Sequence, residues 1–385
     1  MNEQLRVAAI GVGGAVAAFL IFGGLRSVGR SAPGDPLEAI PKGSFIAATL
    51  EFDELRRSPI YGAVFGSEAP GSAPVRRALG VGALAEACGF DPSTRVQRLS
   101  VSVPEDGDRG DFGVAARVEV TRDELEGCAR SLADKRGGHA QAREVGGFVV
   151  LEDESDTASP SATRARLAYG RGGLLVVAKG AWFDAMLGAA EHTRPGLRDA
   201  PEHVALRASL TSHEGFRHPT LLATALLPRS LRERLKGEMG AEIGSQDTSS
   251  AIMGGVLGVS AAGLAVHAGG PGQSVDAAIE LVCDSPAACE AVERLAQKKR
   301  GEWSRDLALR MIGLGPLLDT FEVKREGIHL RATASSSADA LAATIERAIK
   351  LRSRRADAPP PDAPRPRHGN NRPDETVPAK PDAGR

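Results

Sequence analysis

The sequence predicts an α+β fold in which two related units of antiparallel hairpins pack with helices, between an N-terminal transmembrane helix and a disordered C-terminal tail. Three observations predict it. Short apolar runs come in pairs separated by glycine-rich turns, which is typical of hairpins. Segments with helix-capping residues follow these pairs. Residues 7–25 contain no charged or strongly polar side chain, whereas residues 356–385 consist largely of Pro, Asp, Arg and Asn.

The apolar run at residues 7–25 is long enough to span a membrane. At about 1.5 Å per residue, a helix of this length covers a hydrocarbon core of about 30 Å. A cleavable signal peptide is one alternative, but its apolar core is shorter and ends at a small-residue cleavage site, and residues 26–33 contain no such site. We therefore predict an anchor at residues 1–30, with the lipid bilayer as partner through residues 7–25.

A second alternative for this region is the first strand and glycine turn of a dinucleotide-binding fold, at residues 5–14. That fingerprint requires a third small residue, and Val16 occupies its position. Asp35 lies at about the distance of the acidic residue, but residues 31–36 are too rich in Pro and Gly for a buried strand. The pattern therefore predicts no cofactor, and a cytosolic nucleotide-binding enzyme is the weakest functional hypothesis.

The orientation of the anchor depends on more than its flanking charges. Arg6 precedes the apolar run, and Arg26, Arg30 and Lys42 follow it, so the positive-inside rule comes close to a tie. The short N-terminal tail and the apparent pairing of the cysteines favour export of the large C-terminal part. We expect a single-pass inner-membrane protein with its bulk in the periplasm.

Composition limits the remaining classes. The net charge is −1, and 42% of the residues are hydrophobic. Without the anchor and the tail, roughly 310 residues remain, enough for two domains of common size. A nucleic-acid partner is not expected, because such proteins need a concentrated basic face and this chain is nearly neutral.

The first predicted domain covers residues 44–195, after a linker at residues 31–43. Asp53 and Thr121 are placed as helix N-caps, and Pro59 breaks the first helix. The predicted strands are residues 44–51, 97–103, 112–120, 142–145, 148–151, 166–169 and 174–178, and the predicted helices are residues 53–65, 75–88, 121–135 and 181–191, with a Ser/Thr/Asp/Pro loop at 153–163.

The second predicted domain covers residues 196–351. Pro228 suits the first turn of a helix, and Asp284 and Ser285 are available as caps. The predicted strands are residues 220–227, 263–268, 275–283, 321–324 and 328–334, and the predicted helices begin at 228 or cover 287–299 and 338–351, with a loop at 244–250.

A shift of 161 residues places Cys128 on Cys289 and gives both halves the same order of hairpins and helices. We interpret this as an internal duplication. The alternative is coincidence, because such element orders are common.

The tail at residues 352–385 has too few apolar residues to offset the entropy of ordering, and we predict that it is disordered. The basic run at 350–355 just before it has two interpretations. It could contact anionic lipid or a cell-wall polymer. The interpretation that we favour is the solvated end of a helix, where cations suit the dipole.

The four cysteines are disulfide candidates. Cys88 and Cys128 lie in the first half, and Cys283 and Cys289 lie in the second. Three connectivities exist, and this grouping favours one disulfide within each half. Buried free thiols are the alternative. Zinc is not expected, because no C-x2-C pair occurs.

No catalytic or metal-binding residue is predicted. His213 and His218 are five residues apart, whereas a zinc-protease helix needs a spacing of four, and adding His203 yields only a loose trio. The carboxylate pairs Glu152/Glu154 and Asp123/Glu124 already have structural explanations at a loop edge and in a first helical turn. No nucleophile elbow or phosphate loop is present. We therefore lean against an enzyme.

One stretch carries a resemblance to a known group of proteins. The segment AATLEFDELRRSPIYGAVF at residues 47–65 contains Leu-x-x-Ser-Pro at 55–59, and Gly-Phe-Asp-Pro follows at 89–92. These motifs resemble those of uncharacterised bacterial membrane-anchored extracytoplasmic proteins. The resemblance implies an α+β fold of repeated sheet-and-helix units and supplies no activity.

The leading functional hypothesis is a non-catalytic binding or scaffolding role in the envelope, with an envelope protein or the cell wall as partner. An envelope hydrolase or metal-dependent enzyme with an unrecognised site is the alternative.

Overall fold

The computed structural model describes residues 34–66, 81–105, 112–135, 137–153, 165–234 and 257–356. The strands of these residues form one antiparallel sheet in the order β11-β12-β10-β9-β8-β1-β2-β3-β7-β6-β5-β4. Their bounds are β1 Ser44–Glu51, β2 Val96–Pro104, β3 Gly113–Val118, β4 Ala140–Val145, β5 Phe148–Asp153, β6 Ala165–Gly170, β7 Leu174–Lys179, β8 Leu221–Leu226, β9 Val259–Ala268, β10 Ser274–Cys283, β11 Glu322–Glu326 and β12 His329–Ser337.

Helices lie on both faces of this sheet and at one of its edges. Their bounds are α1 Phe52–Arg57, α2 Pro59–Phe65, α3 Val81–Cys88, α4 Arg122–Asp134, α5 Gly180–Ala190, α6 Pro201–Thr211, α7 Pro286–Arg305, α8 Leu307–Ile312, α9 Gly315–Asp319 and α10 Ala338–Ala356. A further helical turn covers residues 229–234. Among the described helices, none is both long and apolar enough to cross a membrane.

The sheet is built outward from the antiparallel pair β1 and β8, where Ala48 lies opposite Ala223. On one side the order is β1-β2-β3-β7-β6, and on the other it is β8-β9-β10-β12-β11. The hairpin of β4 and β5 extends the first side only. A duplication predicts such a repeated order, and the two halves share one sheet. Division into two separately folding domains stays a prediction.

Local signals explain most of these elements. Thr121 caps α4 by accepting a hydrogen bond from the backbone N–H of Glu124, and Ser285 caps α7 in the same way. Ser58 and Pro59 separate α1 from α2, as predicted. The four predicted hairpins are present as antiparallel pairs, and the strands predicted at 142–145 and 148–151 also pair with each other. The α+β class with an antiparallel sheet is therefore confirmed.

The two faces of the sheet are covered differently. The front face packs against α5 and α6, through side chains such as Met186 and Leu210. The back face packs against α4 beneath β2, β3 and β7, and against α7 beneath β12, through side chains such as Leu125 and Val292. Strand residues alternate between these two faces.

Several expectations need correction. Helix α6 lies where no element was predicted, as do α8 and α9. Residues 36–41 were assigned to a linker, but Ala39 and Ile40 are fully buried, and Leu197 donates a backbone hydrogen bond to the carbonyl of Ile40. Helix α10 continues to Ala356, five residues beyond the predicted limit of the second domain. The reason in each case is tertiary packing, which the local pattern does not contain.

Some predictions lie outside the described residues. These are the anchor at residues 7–25, the first part of the helix predicted at 75–88, most of the loop at 153–163, the loop at 244–250 and the tail from residue 357 onward.

Candidate functional site

An apolar strip crosses the back face of the sheet at its centre. It comprises two adjacent rows of residues, each row joined strand to strand by register from β2 through β1, β8, β9 and β10. The first row continues onto β12. The first row is Val101, Ala48, Ala223, Leu264, Ile279 and Ala332, and the second is Val103, Ile46, Ala225, Ala262 and Leu281. We refer to these eleven residues as the open strip. Every one of them is apolar.

The open strip is only partly covered. Ile279 points from the middle of β10, between two paired strands, yet 41% of its surface is exposed. Its chain neighbours Ala278 and Glu280 point to the front face and are buried. The other ten residues of the open strip are half-buried. At its sides, Val101 packs against the α4 cluster and Leu281 against the α7 cluster, and helices α1 and α2 also pack on this face through Phe52 and Tyr61. The accessible part of the open strip therefore lies around Ile279.

The dimensions of the open strip follow from sheet geometry. It crosses six strands, and at about 4.8 Å between neighbours this corresponds to about 24 Å. An apolar surface of this extent is unusual on a soluble domain and commonly marks a binding surface.

The front face of the same strands carries a different feature, a cleft of about 580 Å³ beside α6. Helix α6 comes close to the sheet at Gly263 on β9, where a Cβ atom would lie 2.6 Å from Leu210. Glu280 lies directly opposite Gly263 on β10. The missing side chain at Gly263 thus leaves room for α6 and brings its residue Ser209 to Glu280.

Glu280 is the centre of a buried polar cluster in this cleft. The Ser209 hydroxyl lies 2.8 Å from each carboxylate oxygen of Glu280, Nδ1 of His329 lies 3.2 Å from Oε1, and Arg331 donates to Oε2. Burial raises the pKa of Glu280, but hydrogen bonds from Ser209, Arg331 and His329 and the charge of Arg331 outweigh burial. The net pKa is lowered, so Glu280 is ionised at neutral pH.

This geometry does not resemble a nucleophile activated by a base. In a serine hydrolase the hydroxyl donates to a histidine, which a carboxylate orients. Here the Ser209 hydroxyl donates to the carboxylate of Glu280 itself. Arg331 also donates to the backbone carbonyl of Ser209, near the C-terminal end of α6. The cluster therefore fastens α6 to β10 and β12.

His203 fastens the other end of α6. Its side chain is fully buried, with Nε2 2.9 Å from the carbonyl of Ser44 and Nδ1 2.7 Å from the hydroxyl of Thr224. A carbonyl only accepts, so the proton is on Nε2 and the Thr224 hydroxyl donates to Nδ1. Burial lowers the pKa of His203. His203 is thus a neutral core residue that joins α6 to the central pair of strands.

The loose histidine trio is contradicted by these contacts. Both ring nitrogens of His203 already have protein partners, whereas His213 and His218 are exposed in the loop after α6. The described residues contain no group of three His, Cys, Asp or Glu side chains placed to hold a metal ion.

The predicted carboxylate pairs have structural roles where they are described. Glu152 forms an ion pair with Arg143 at 2.9 Å across the β4–β5 hairpin, and its predicted companion Glu154 lies outside the described residues. Asp123 and Glu124 occupy the first turn of α4.

The cysteines are paired as their grouping suggested. Cys88 at the end of α3 is bonded to Cys128 on α4, and Cys283 at the end of β10 is bonded to Cys289 on α7. Disulfides persist in oxidising compartments, so these pairs indicate an extracytoplasmic location.

Sequence reasoning named His203 but did not find helix α6 or the open strip. The signals for α6 were present: Pro201 and Glu202 suit a first turn, and Leu206 and Leu210 have helical spacing. The open strip had no comparable signal. Strand β9 reads VSAAGLAVHA, which is small or apolar on both faces, so the sequence does not reveal which face is left uncovered.

Replacement of His203 by alanine tests its structural role. We expect the free energy of unfolding to fall by about 2–3 kcal/mol, because a buried ring and two hydrogen bonds are lost. The matched control His213→Ala removes an exposed ring and should change it by less than about 0.5 kcal/mol. Urea titration followed by circular dichroism measures both. Equal effects of the two variants would contradict the assignment.

The lowered pKa of His203 also determines the direction in which stability changes with pH. Below the unfolded-state pKa of about 6.5, the unfolded chain binds a proton that the native His203 resists, so stability falls as pH decreases. The His203→Ala variant should lose this part of the pH dependence.

Comparisons with known proteins give little further information. No protein-family model and no curated protein matches the sequence. Two solved structures are similar, those of TP0453 in crystal forms III and I. Their TM-scores are 0.41 and 0.40 at 12% identity, and the matches cover 81% and 83% of this chain and 98% and 99% of theirs. A likeness at this level identifies neither a family nor an activity.

Proposed function

We propose that this protein is a non-catalytic, membrane-anchored envelope protein that binds an acyl chain on the open strip of its central sheet. The observation that carries the proposal is the exposure of Ile279 in the middle of the open strip. An apolar residue between two paired strands is normally covered, because burial of apolar surface drives folding.

The chemistry of the open strip favours an acyl chain over a polar ligand. Its eleven side chains offer dispersion contacts and no hydrogen-bond donor, acceptor or charge. Pockets for polar ligands place a few polar groups to fix orientation, and this surface has none among its side chains. A bilayer core of about 30 Å holds two opposed acyl chains, so one chain is about 15 Å long. The 24 Å strip estimated from strand spacing of about 4.8 Å accommodates it.

The envelope location has separate support. Each half of the chain contains one disulfide, which is expected of proteins outside the cytoplasm. The predicted anchor at residues 7–25 would hold the sheet beside a source of acyl chains.

The enzyme alternative has less support from the geometry. Its best candidate would be the cleft beside α6, where His329 is half-exposed next to Glu280. The hydroxyl of Ser209 is held by Glu280 and does not contact His329, so the cluster lacks an activated nucleophile.

Photocrosslinking in native membranes tests the proposal. The full chain would carry benzoylphenylalanine in place of Ile279, and illumination would be followed by mass spectrometry of the purified protein. We expect adducts with the mass of an acyl-bearing lipid. The matched control carries the same probe in place of Val204 on α6, which is 45% exposed on the other side of the sheet, and should capture none.

A second sample is first purified in a detergent of known mass and is illuminated only afterwards. This separates a bound ligand from contact with the membrane surface. A native lipid adduct that forms when the purified protein is illuminated supports a bound acyl chain. Adducts in membranes only would contradict the proposal. So would crosslinks of position 279 to another protein, or to the chain's own segments 67–80 or 235–256.

A further inference from the structure

A second exposed apolar surface lies at the corner between α7 and α8. Three large side chains protrude there within nine residues: Trp303 is 49% exposed, Leu307 is 70% exposed and Met311 is 72% exposed. Helix α7 ends at Asp306, whose ψ angle of 110° is extended, and the chain changes direction there. The three side chains therefore lie on either side of a bend in the chain. We refer to Trp303, Leu307 and Met311 as the apolar corner.

Basic residues outnumber acidic ones in the chain segment that carries the apolar corner. Residues 298–311 contain five basic and two acidic side chains, a net charge of +3 in a chain whose total is −1. Lys299 pairs with Glu302 at 2.6 Å, and Arg310 pairs with Asp319 at 2.8 Å. Both pairs are exposed, so they neutralise the local field only in part. Tryptophan and aliphatic tips among basic residues are typical of segments that lie in the interface of an anionic bilayer.

The position of the apolar corner agrees with such a contact. The strand ends of the sheet form two opposite borders, and one border is called an edge here. At this edge, β1 ends at Glu51, which lies beside Arg98 of β2, and Ser335 lies near the end of β12. The Thr320 hydroxyl donates to the carbonyl of Ser335 at 2.6 Å, which places the chain that follows α9 at this edge.

The described chain begins at the same edge. Its second residue, Asp35, pairs with Arg98 at 2.8 Å. Nine residues, 26–34, separate this point from the apolar run of the predicted anchor, and they reach at most about 32 Å. A link of this length would keep this end of the strands near the bilayer in which the anchor is predicted to lie.

We propose that the apolar corner inserts into the interface of an anionic lipid bilayer and fixes the orientation of the sheet on the membrane. The proposal uses the predicted anchor and does not depend on the acyl-chain site, because the apolar corner and the open strip share no residue. The basic side chains supply attraction to anionic headgroups, and the three apolar tips supply burial. Attachment through both the predicted transmembrane anchor and the apolar corner is more stable than attachment through either alone.

Tryptophan fluorescence tests the inference directly, because the chain contains two tryptophans. Trp303 lies in the apolar corner. Trp182 donates to the Ser102 hydroxyl at 3.0 Å, towards the opposite edge of the sheet, and serves as an internal reference. Full-length protein and its Trp303→Phe variant would be reconstituted into vesicles of phosphatidylcholine with phosphatidylglycerol, or of phosphatidylcholine alone, each with and without brominated acyl chains.

We expect the signal of Trp303, obtained by difference, to shift to shorter wavelength and to be quenched by brominated lipid, most strongly with phosphatidylglycerol. The emission of Trp182 should not be quenched. Replacing Leu307 and Met311 by serine alters exposed side chains only and should abolish the shift and the quenching of Trp303. High salt should weaken both by screening.

Two results would overturn the inference. One is emission from Trp303 that is indifferent to brominated lipid in both kinds of vesicle. The other is a shift without quenching, which would mean that protein and not lipid covers the apolar corner. Failure here leaves the crosslinking result at Ile279 unaffected, so the two proposals are tested separately.

Discussion

Replacing both Cys88 and Cys128 by alanine should lower the free energy of unfolding by about 4 kcal/mol. The disulfide joins residues 40 apart in sequence. In the chain-entropy description, removing a crosslink that closes a loop of this length costs about 4 kcal/mol at 25 °C, because the unfolded state regains its freedom. The bond also holds α3 against α4, whose Cys128 is buried in the back-face cluster.

The second disulfide is the matched control. Cys283 and Cys289 are only six residues apart, so the same description gives about 2 kcal/mol for their replacement by alanine. Urea titration of the full chain in detergent measures both variants. A loss at the long loop no greater than that at the short loop would contradict the entropic account.

The state of the cysteines in cells is a further readout of this pair of variants. Alkylation of intact cells before lysis should find no free thiol in the wild-type protein if it is exported to an oxidising compartment. Free thiols at all four positions would return the cysteines to the alternative of buried thiols.

The local part of the fold was predictable because its signals lie close together in sequence. Glycine-rich turns set the hairpins, such as residues 269–272 between β9 and β10. Thr121 and Ser285 identify the starts of α4 and α7. Each disulfide joins cysteines of one half, so grouping alone indicated the pairing.

The centre of the sheet was not predictable in the same way. The register of Ala48 against Ala223 joins strands about 175 residues apart, and no local pattern specifies it. This one pairing merges the two predicted units into a continuous sheet. It also creates the open strip, because the strip consists of side chains from both halves.

The front-face cleft was missed for a related reason. Ser209 and Glu280 have no motif spacing, and they meet only because α6 lies across Gly263. A glutamate in an apolar strand was the one available signal, since a buried carboxylate requires partners. The partners themselves come from α6 and β12, which are distant in sequence.

Glu280→Ala is expected to destabilise the protein by about 3–5 kcal/mol, because it leaves the half-buried Arg331 without its carboxylate partner. Replacement by a neutral isostere, Glu280→Gln, keeps the shape and should cost less. The double variant Glu280→Ala with Arg331→Ala should recover part of the loss, since no unpaired charge remains. Urea titration of these variants and of Arg331→Ala alone measures the differences. A loss in the double variant equal to the sum of the losses from Glu280→Ala and Arg331→Ala would show that the pair is not coupled.

The pH dependence of this cluster has a different origin from that of His203. Burial disfavours the charged form of His203, whereas hydrogen bonds and the charge of Arg331 favour the charged form of Glu280. The folded-state pKa of Glu280 is lowered by Ser209 and Arg331. Its contribution is therefore complete above the unfolded-state pKa of about 4.3 and is lost as pH falls through the lower folded-state value. The loss begins near pH 6.5 for His203 and near pH 4.3 for Glu280, so the two variants separate the contributions.

The Glu280→Ala variant also separates an effect on stability from an effect on lipid binding. Glu280 and Ile279 are adjacent on β10 but point to opposite faces of the sheet. If Glu280 only fastens α6, the protein that remains folded after Glu280→Ala should still capture a lipid through a probe at position 279. Loss of capture in folded protein would mean that the two faces are coupled, and the open strip would then depend on the position of α6.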